Sequence, residues 1–324
     1  MRATSGLVSV IIATYNRKEI LARCVDSVLK STYPKIEILI AEDPSQNMAK
    51  SIVMKKYSRH KNIRYMENAK RIFKPASLNK MIKASRGEFL LHFDDDNVID
   101  RECISELVST MRKFPEAGVV EALAFYYSHP SIIMHAGTDR SGFMRGAVTQ
   151  FSNEKWKGQF EEGHEIGNAD NAYMIRRSAI KAAGMFDLMS CYGEGAELQA
   201  RIRKAGYRIL INPKAKTYHD RPYMPGAQSR ELFFERLGRE AIYYVMLSKI
   251  LYEFSYETTV QKLTFLISLP AYLGFYLRGI ALDKRKKPGE KLVLAGLLLS
   301  GTMKGLIAAA LGKRRIERLR EIGT

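Results

Sequence analysis

The chain has 324 residues and a formal charge of +18, from 52 Lys and Arg against 34 Asp and Glu. That length suggests one large or two small domains and buries a core readily. Its cysteines, Cys24, Cys103 and Cys191, are odd in number, far apart and match no metal spacing, which excludes a disulfide framework and fits a reducing compartment.

The charge is uneven along the chain. Residues 1–200 carry 28 Lys and Arg against 24 Asp and Glu, a net +4, whereas residues 201–324 carry 24 against 10, a net +14. The front has an ordinary globular composition. The basic back suits nucleic acid, an anionic membrane surface or an anionic substrate.

Taken in order, the front alternates short β-branched runs with helical patterns. Val8–Ala13 reads as a strand, and its early place leaves no room for a signal-peptide pattern in the first 25 residues. Lys18–Ser31 has helical apolar spacing, Ile36–Ala41 is a second strand, Asn47–Tyr57 a helix, Ile63–Met66 a strand and Pro75–Ser85 a helix. Phe89–Phe93 is the central strand. This β-α-β-α-β order predicts a parallel sheet with right-handed crossovers. From Val119 to Gln150 short strands with Gly punctuation are expected, and Trp156–Glu165 reads as a polar, mobile loop. Ala172–Ile175 is a strand, Ser178–Ala183 a short helix, Gly195–Gly206 a helix and Arg208–Ile211 a strand. A Pro- and Gly-rich segment, Arg221–Gly226, precedes a long amphipathic helix from about Ser229 to Tyr256, patterned like an interfacial helix.

Two apolar segments follow. Leu263–Leu277 carries no charge, and Leu292–Leu311 carries only Lys304. The second matches the roughly 20 apolar residues that cross a bilayer. Both are flanked by basic clusters, Lys284–Lys287 and Lys313–Arg315, which favours a membrane surface over nucleic acid. A pair of core helices in a soluble domain is the alternative.

The densest chemistry lies at Asp94-Asp95-Asp96-Asn97, directly after the apolar run Phe89–Phe93. Adjacent carboxylates at a strand end repel one another unless a hard cation or a cationic ligand sits among them. Open α/β sheets bind ligands at that edge. The segment reads either as a divalent-metal site for a phosphate-bearing substrate or as a solvated turn that caps the next helix.

Four segments together resemble the family 2 glycosyltransferases. They are Val8–Arg17, with Thr-Tyr-Asn-Arg at its end; Ile38–Ser45, with Glu42-Asp43 where the family usually has two aspartates; Ala84–Asn97; and Arg176–Asp187 followed by Gly193–Tyr207. The resemblance spans about residues 7–220. It implies an α/β fold of the GT-A type, a Rossmann-like and mostly parallel sheet with helices on both faces. That catalytic domain is expected over residues 1–225. An amphipathic and hydrophobic helical membrane region is expected over 226–324.

The resemblance also implies roles. Thr14, Tyr15, Asn16 and Arg17 would meet the nucleobase of a nucleotide-sugar donor, and Asp43 would accept a nucleobase N–H unless it is a helix cap. Asn79 and Lys80 would lie near the donor or be surface residues. Asp94 and Asp96 alternate and so face the same way in extended chain. Asp94 would face the ribose, Asp96 would hold Mg2+ or Mn2+ on the diphosphate, and Asp95 would point inward or cap the next element. His219 would lie near the metal or diphosphate. Gln228, Arg230, Arg236 and Arg239 would clamp the diphosphate and acceptor or form a membrane-facing stripe; the Gln-x-x-Arg-Trp motif of processive relatives is absent.

The family's general base usually sits in a Glu-Asp pair at a helix start. Here the stretch is Gly193-Glu194-Gly195-Ala196-Glu197, with Gly at the Asp position. Glu194 is the first candidate and Glu197 the second, unless Glu197 is an ordinary first-turn residue. The expected activity is inverting, metal-dependent sugar transfer to a membrane-lipid-linked acceptor, such as a polyprenyl-phosphate or lipid-diphosphate glycan. A membrane-anchored nucleotide-sugar or glycan binding protein without turnover is the competing reading. The loop 283–291, with five Lys and Arg against two acids, predicts a hairpin or interfacial insertion with both ends and the catalytic domain on the cytoplasmic side. Paired spanning helices are the alternative.

Overall fold

The computed structural model describes residues 3–139, 148–188, 193–223, 238–257 and 259–311. These fall into two compact units, the first ending at Tyr223.

The first unit is built on a ten-stranded sheet. Its leading half follows the expected alternation: β1 (Thr4–Thr14), α1 (Lys18–Leu29), β2 (Ile36–Glu42), α2 (Lys50–Lys56), β3 (Ile63–Glu67), α3 (Phe73–Ala84) and β4 (Gly87–His92). The strands pair in parallel in the order β4-β1-β2-β3. Along β1 the two-residue period sends Val8, Val10 and Ile12 to one face and Ile11 to the other. The first face packs on α1, α2 and α4 (Cys103–Lys113). The second packs on α3, α5 (Arg177–Ala183) and α6 (Glu194–Lys204). Helices therefore cover both faces, as a parallel sheet requires.

The second half is mixed rather than parallel. After β5 (Asn97–Ile99) comes β6 (Ala117–Tyr126), a ten-residue strand buried along its whole length, where several short strands are expected. Its near-continuous apolar run is that of a strand covered on both faces. β7 (His129–His135) pairs with it antiparallel, and β8 (Thr138–Asp139) pairs with β9 (Val148–Thr149) in a separate two-stranded sheet. β11 (Tyr173–Arg176) runs antiparallel between β4 and β6.

The segment Trp156–Glu165 is not a free polar loop. Phe160 is buried, flanked by Phe151 at 5.9 Å and Trp156 at 5.0 Å between ring centroids. Its end, β10 (His164–Glu165), pairs with β12. β12 itself (Arg208–His219) continues well past the expected end at Ile211. Its register on β6 shifts between Asn212 and Lys216, around Pro213, which has no N–H for the ladder. Parallel pairing then resumes and carries the strand to His219, opposite Tyr126.

In the second unit, α7 (Arg239–Tyr256), α8 (Thr259–Leu282) and α9 (Pro288–Leu311) share one apolar core. Ile242, Met246 and Ile250 of α7 meet Phe265 and Leu269 of α8 and Leu294 and Leu298 of α9. The described part of α7, within the expected interfacial helix, packs in this bundle. Gly301 allows the close approach: a methyl there would come within 2.1 Å of the Tyr243 carbonyl oxygen. Gly305, one turn on, faces Ile250 at 3.1 Å in the same sense. Such small-residue spacing is how helices approach closely in lipid.

Pro270 does not interrupt α8, and Lys304 does not interrupt α9. Each helix has 24 residues, about 36 Å at 1.5 Å per residue. Both are long and apolar enough to cross a membrane. Large apolar side chains such as Ile267, Leu292 and Met303 are exposed on them. Lys249 is drawn over the Tyr272 ring at 4.9 Å and Lys304 over the Tyr243 ring at 5.9 Å, contacts that offset part of the cost of a cation among apolar helices.

Candidate active site at the carboxyl edge of the sheet

The parallel pairing of β1 with β4 brings the loop after Thr14 beside the loop after His92. β5 then pairs antiparallel with β12, setting His219 opposite Asn97. These two pairings gather three distant pieces of sequence at one edge.

Asp94, Asp96 and His219 each offer a ligand atom within 4.8 Å of the others. Asp95 is buried beside them. Thr14 donates to it at 2.6 Å and Arg17 at 3.2 Å, and burial, only partly offset by Thr14 and Arg17, lifts its pKa to about 6. Arg17 also reaches Asp96 at 3.1 Å. Thr14 and Arg17, expected at a nucleobase, are thus tied to the carboxylates. Lys74, which the sequence pattern does not single out, pairs with Asp94 at 2.7 Å. Burial raises the Asp94 carboxyl, but Lys74 and His92 outweigh it and hold it well below the usual carboxylate range.

Arg17 and Lys74 leave the three carboxylates with a net negative charge. His219 Nε2 lies 2.9 Å from Asp96 Oδ1. Both atoms are buried. Two carboxylates and an imidazole with converging ligand atoms suit a hard or borderline divalent ion. Asp94, expected at the ribose, belongs to the same group.

The first loop and α3 form a second cluster. Tyr15 is 43% exposed, and the Arg71 guanidinium lies 4.5 Å from its ring and 5.0 Å from that of Phe73. Asn16 sits at φ 61° and accepts from the Asn47 amide at 3.0 Å. Asp43 is a helix cap: its Oδ2 accepts the Ile72 and Phe73 amides at 3.2 and 2.9 Å, and its Oδ1 accepts Asn68 at 2.8 Å. Three of a carboxylate's roughly four acceptor positions are therefore filled, leaving room for one ligand donor. Glu42 is buried and accepts the Ala49 amide and the Tyr65 hydroxyl. Asn79, expected near the donor or as a surface residue, clamps the Phe186 backbone from both ends, at 2.8 and 2.9 Å. Lys80 reaches Asn68 at 2.7 Å.

On α6, Glu194 is the first residue and is buried. Glu197 is held by Arg201 through two contacts, 3.0 and 2.6 Å, which is the ordinary i,i+4 pairing. Gly195 has a local reason. A Cβ there would lie 2.9 Å from the hydroxyl of Tyr173, a fully buried ring, so an aspartate would have to displace it. Gln228, Arg230 and Arg236 lie outside the described residues, and Arg239 is the exposed first residue of α7.

The profile of Glycosyl transferase family 2 matches residues 9–182, more than half of the chain. The chain belongs to this family. The poly-beta-1,6-N-acetyl-D-glucosamine synthase of Staphylococcus epidermidis is 22% identical over 64% of this chain and 48% of its own, so the chain spans about half the length of that relative. Glycosyltransferase AglE of Haloferax volcanii is 25% identical over 77% of this chain and 78% of its own. A dolichyl N-acetyl-alpha-D-glucosaminyl phosphate 3-beta-D-2,3-diacetamido-2,3-dideoxy-beta-D-glucuronosyltransferase of Methanococcus voltae is 23% identical over 67% and 68%. Among solved structures, the mannosyltransferase PcManGT of Pyrobaculum calidifontis, in complex with GDP-Man and Mn2+, has a TM-score of 0.56 at 16% identity, covering 96% of this chain and 88% of that one. TarS 1-349 of S. aureus, in complex with UDP-GlcNAc, has 0.53 at 16%, covering 94% and 92%. These likenesses establish the GT-A fold.

Proposed function

We propose that the chain is an inverting, metal-dependent glycosyltransferase that moves a sugar from a nucleotide-sugar donor to a lipid-linked acceptor at a membrane surface. The observation that carries this reading is the convergence of Asp94, Asp96 and His219 beside Lys74 and Arg17 at the carboxyl edge of the sheet. Asp94, Asp96 and His219 would hold Mg2+ or Mn2+, which when bound neutralises the charge of a leaving nucleoside diphosphate. Lys74 and Arg17 add fixed positive charge beside it, and Tyr15 with Arg71 offers a stacking face for the base. A nucleotide sugar and Mn2+ accompany a structure of this fold, which supports the donor class.

Glu194, the buried first residue of α6, is the proposed base that takes the acceptor proton. Glu194→Gln should retain donor binding, measured by calorimetry, and lose at least about 100-fold in transfer. Near-normal turnover would remove Glu194 from this role.

The lipid-linked acceptor rests on α8 and α9, both long and apolar enough to span, and on the dolichyl-phosphate acceptor in the name of the Methanococcus voltae relative. The basic loop 283–291 supports a cytoplasmic placement of the catalytic unit, with the helices inserted as a hairpin. The discriminating experiment incubates the full chain with a panel of nucleotide sugars and membrane lipid extract, with and without EDTA. The expected result is sugar incorporation into an organic-extractable lipid with one donor, abolished by EDTA and restored by Mg2+ or Mn2+. Donor binding with no transfer to any lipid would favour a binding protein without turnover.

A further inference from the structure

Glu121 lies in the middle of β6, the strand buried along its whole length, and is itself fully buried. A carboxylate there is costly unless it is hydrogen-bonded. Its Oε1 accepts the backbone amides of Asp170, at 2.8 Å, and Asn171, at 3.3 Å, and meets the His135 ring at 2.8 Å. Gln199 of α6, also fully buried, closes on Ala169: its Oε1 accepts the amide at 2.7 Å and its Nε2 donates to the carbonyl at 2.8 Å. Arg203 donates to the Gly167 carbonyl and, at 3.1 Å, to Asn168 Oδ1. Polar side chains from β6 and α6 thus converge on the backbone of Gly167–Asn171.

The residue this loop presents to solvent is Asp170. Its side chain is exposed, and among the described residues its carboxylate makes no hydrogen bond or ion pair. Buried polar supports of this kind are how a ligand-binding side chain is held in place. The sheet brings Asp170 to the candidate site. β11 runs antiparallel to β4 with Tyr173 opposite His92, so the residues before Tyr173 leave the sheet at the edge where Asp94–Asp96 follow His92. The neighbouring Asn171 side chain meets the His219 ring at 2.6 Å.

Asp170 does not belong to the group that can hold a cation, which is Asp94, Asp96 and His219. The strand order β11-β4-β1 sorts the edge into three parts: Tyr15 after β1, the cation-holding carboxylates after β4, and Asp170 before β11. A nucleotide sugar has the same succession of base, diphosphate and sugar. A carboxylate repels phosphate oxygens and accepts from hydroxyls, two at once where they are vicinal. We infer that Asp170 is a specificity-determining residue that accepts hydrogen bonds from the hydroxyls of a sugar substrate, either the transferred sugar or the acceptor sugar that meets it. This rests on the proposed donor site.

The test uses the full chain in detergent with Mn2+. Calorimetry compares a panel of UDP-, GDP- and CDP-sugars with UDP, GDP and CDP alone, and transfer rates are measured against a dilution series of membrane lipid extract. Asp170 is exposed and unpaired, so Asp170→Ala and Asp170→Asn should keep the parent's melting transition. Where the carboxylate holds the transferred sugar, Asp170→Ala should weaken the nucleotide sugar about 10–100-fold, the scale of hydrogen bonds to a charged group, and leave the nucleoside diphosphate unchanged. Where it holds the acceptor sugar, donor binding should be unchanged and KM for the extract should rise by a similar factor, with kcat less affected. Asp170→Asn should fall between Asp170→Ala and the parent. Parent-like donor binding together with a parent-like KM for the extract, whatever happens to kcat, would overturn the assignment. Equal weakening of the nucleotide sugar and the nucleoside diphosphate would overturn it too, because the effect would then lie in the nucleotide. A parent chain that binds no nucleotide at all would sink the donor site itself, and this inference with it.

Discussion

Asp96→Asn should lower sugar transfer about 1,000-fold at saturating Mn2+, the scale on which removing one preorganised electrostatic group acts. The substitution keeps shape and removes one negative charge. Asp96 is the carboxylate that meets both His219, at 2.9 Å, and Arg17, at 3.1 Å. Without its charge the ion would keep Asp94 and His219, and Arg17 would retain Asp95 at 3.2 Å. Folding should therefore change little, and the thermal transition should stay close to that of the parent chain. Initial rates across a Mn2+ titration check this. Turnover within tenfold of the parent chain at saturating ion would show that Asp96 carries no such role. Asp94→Asn is the informative companion, because it also frees Lys74 from its 2.7 Å pairing and should shift donor affinity as well as rate.

Which features were legible from sequence follows from the range of each interaction. β2 and β4 are apolar runs whose period and length are local, and α1 repeats its apolar residues at helical spacing; these were readable within two residues, while β1 begins four residues before the expected Val8. The Asp94–Asp96 triplet stood out because adjacent carboxylates at a strand end are costly without a partner. The partners themselves were not readable. Lys74 lies 20 residues from Asp94, and Asn171 lies 48 residues from His219. Only the sheet order and the resumed register of β12 beyond Pro213 bring them together. Asn79 shows the reverse case: a polar helix residue near the site spends its amide on a backbone 107 residues away. Gly195 departs from the family pattern for a reason that also lies in space, the Tyr173 hydroxyl.

Glu197→Ala should act on stability, with an expected loss of about 3–5 kcal/mol, the cost of breaking a buried ion pair from one side. Glu197 is 1% exposed and meets Arg201 through both oxygens. Arg201 also donates to the Ala183 and Met185 carbonyls, so the pair ties α6 to the chain leaving α5. Removing the carboxylate takes away the charge that the partly buried guanidinium meets through both oxygens. At about 2–4 °C per kcal/mol for a unit of this size, the melting transition should fall by roughly 10 °C. The double variant Glu197→Ala with Arg201→Met should recover part of that loss, because it removes the stranded charge together with its partner. The same variants separate Glu197 from catalysis. A structural role predicts a lowered transition with transfer retained by the folded fraction at low temperature. An unchanged transition with transfer abolished would instead make Glu197 the base and Glu194 its neighbour.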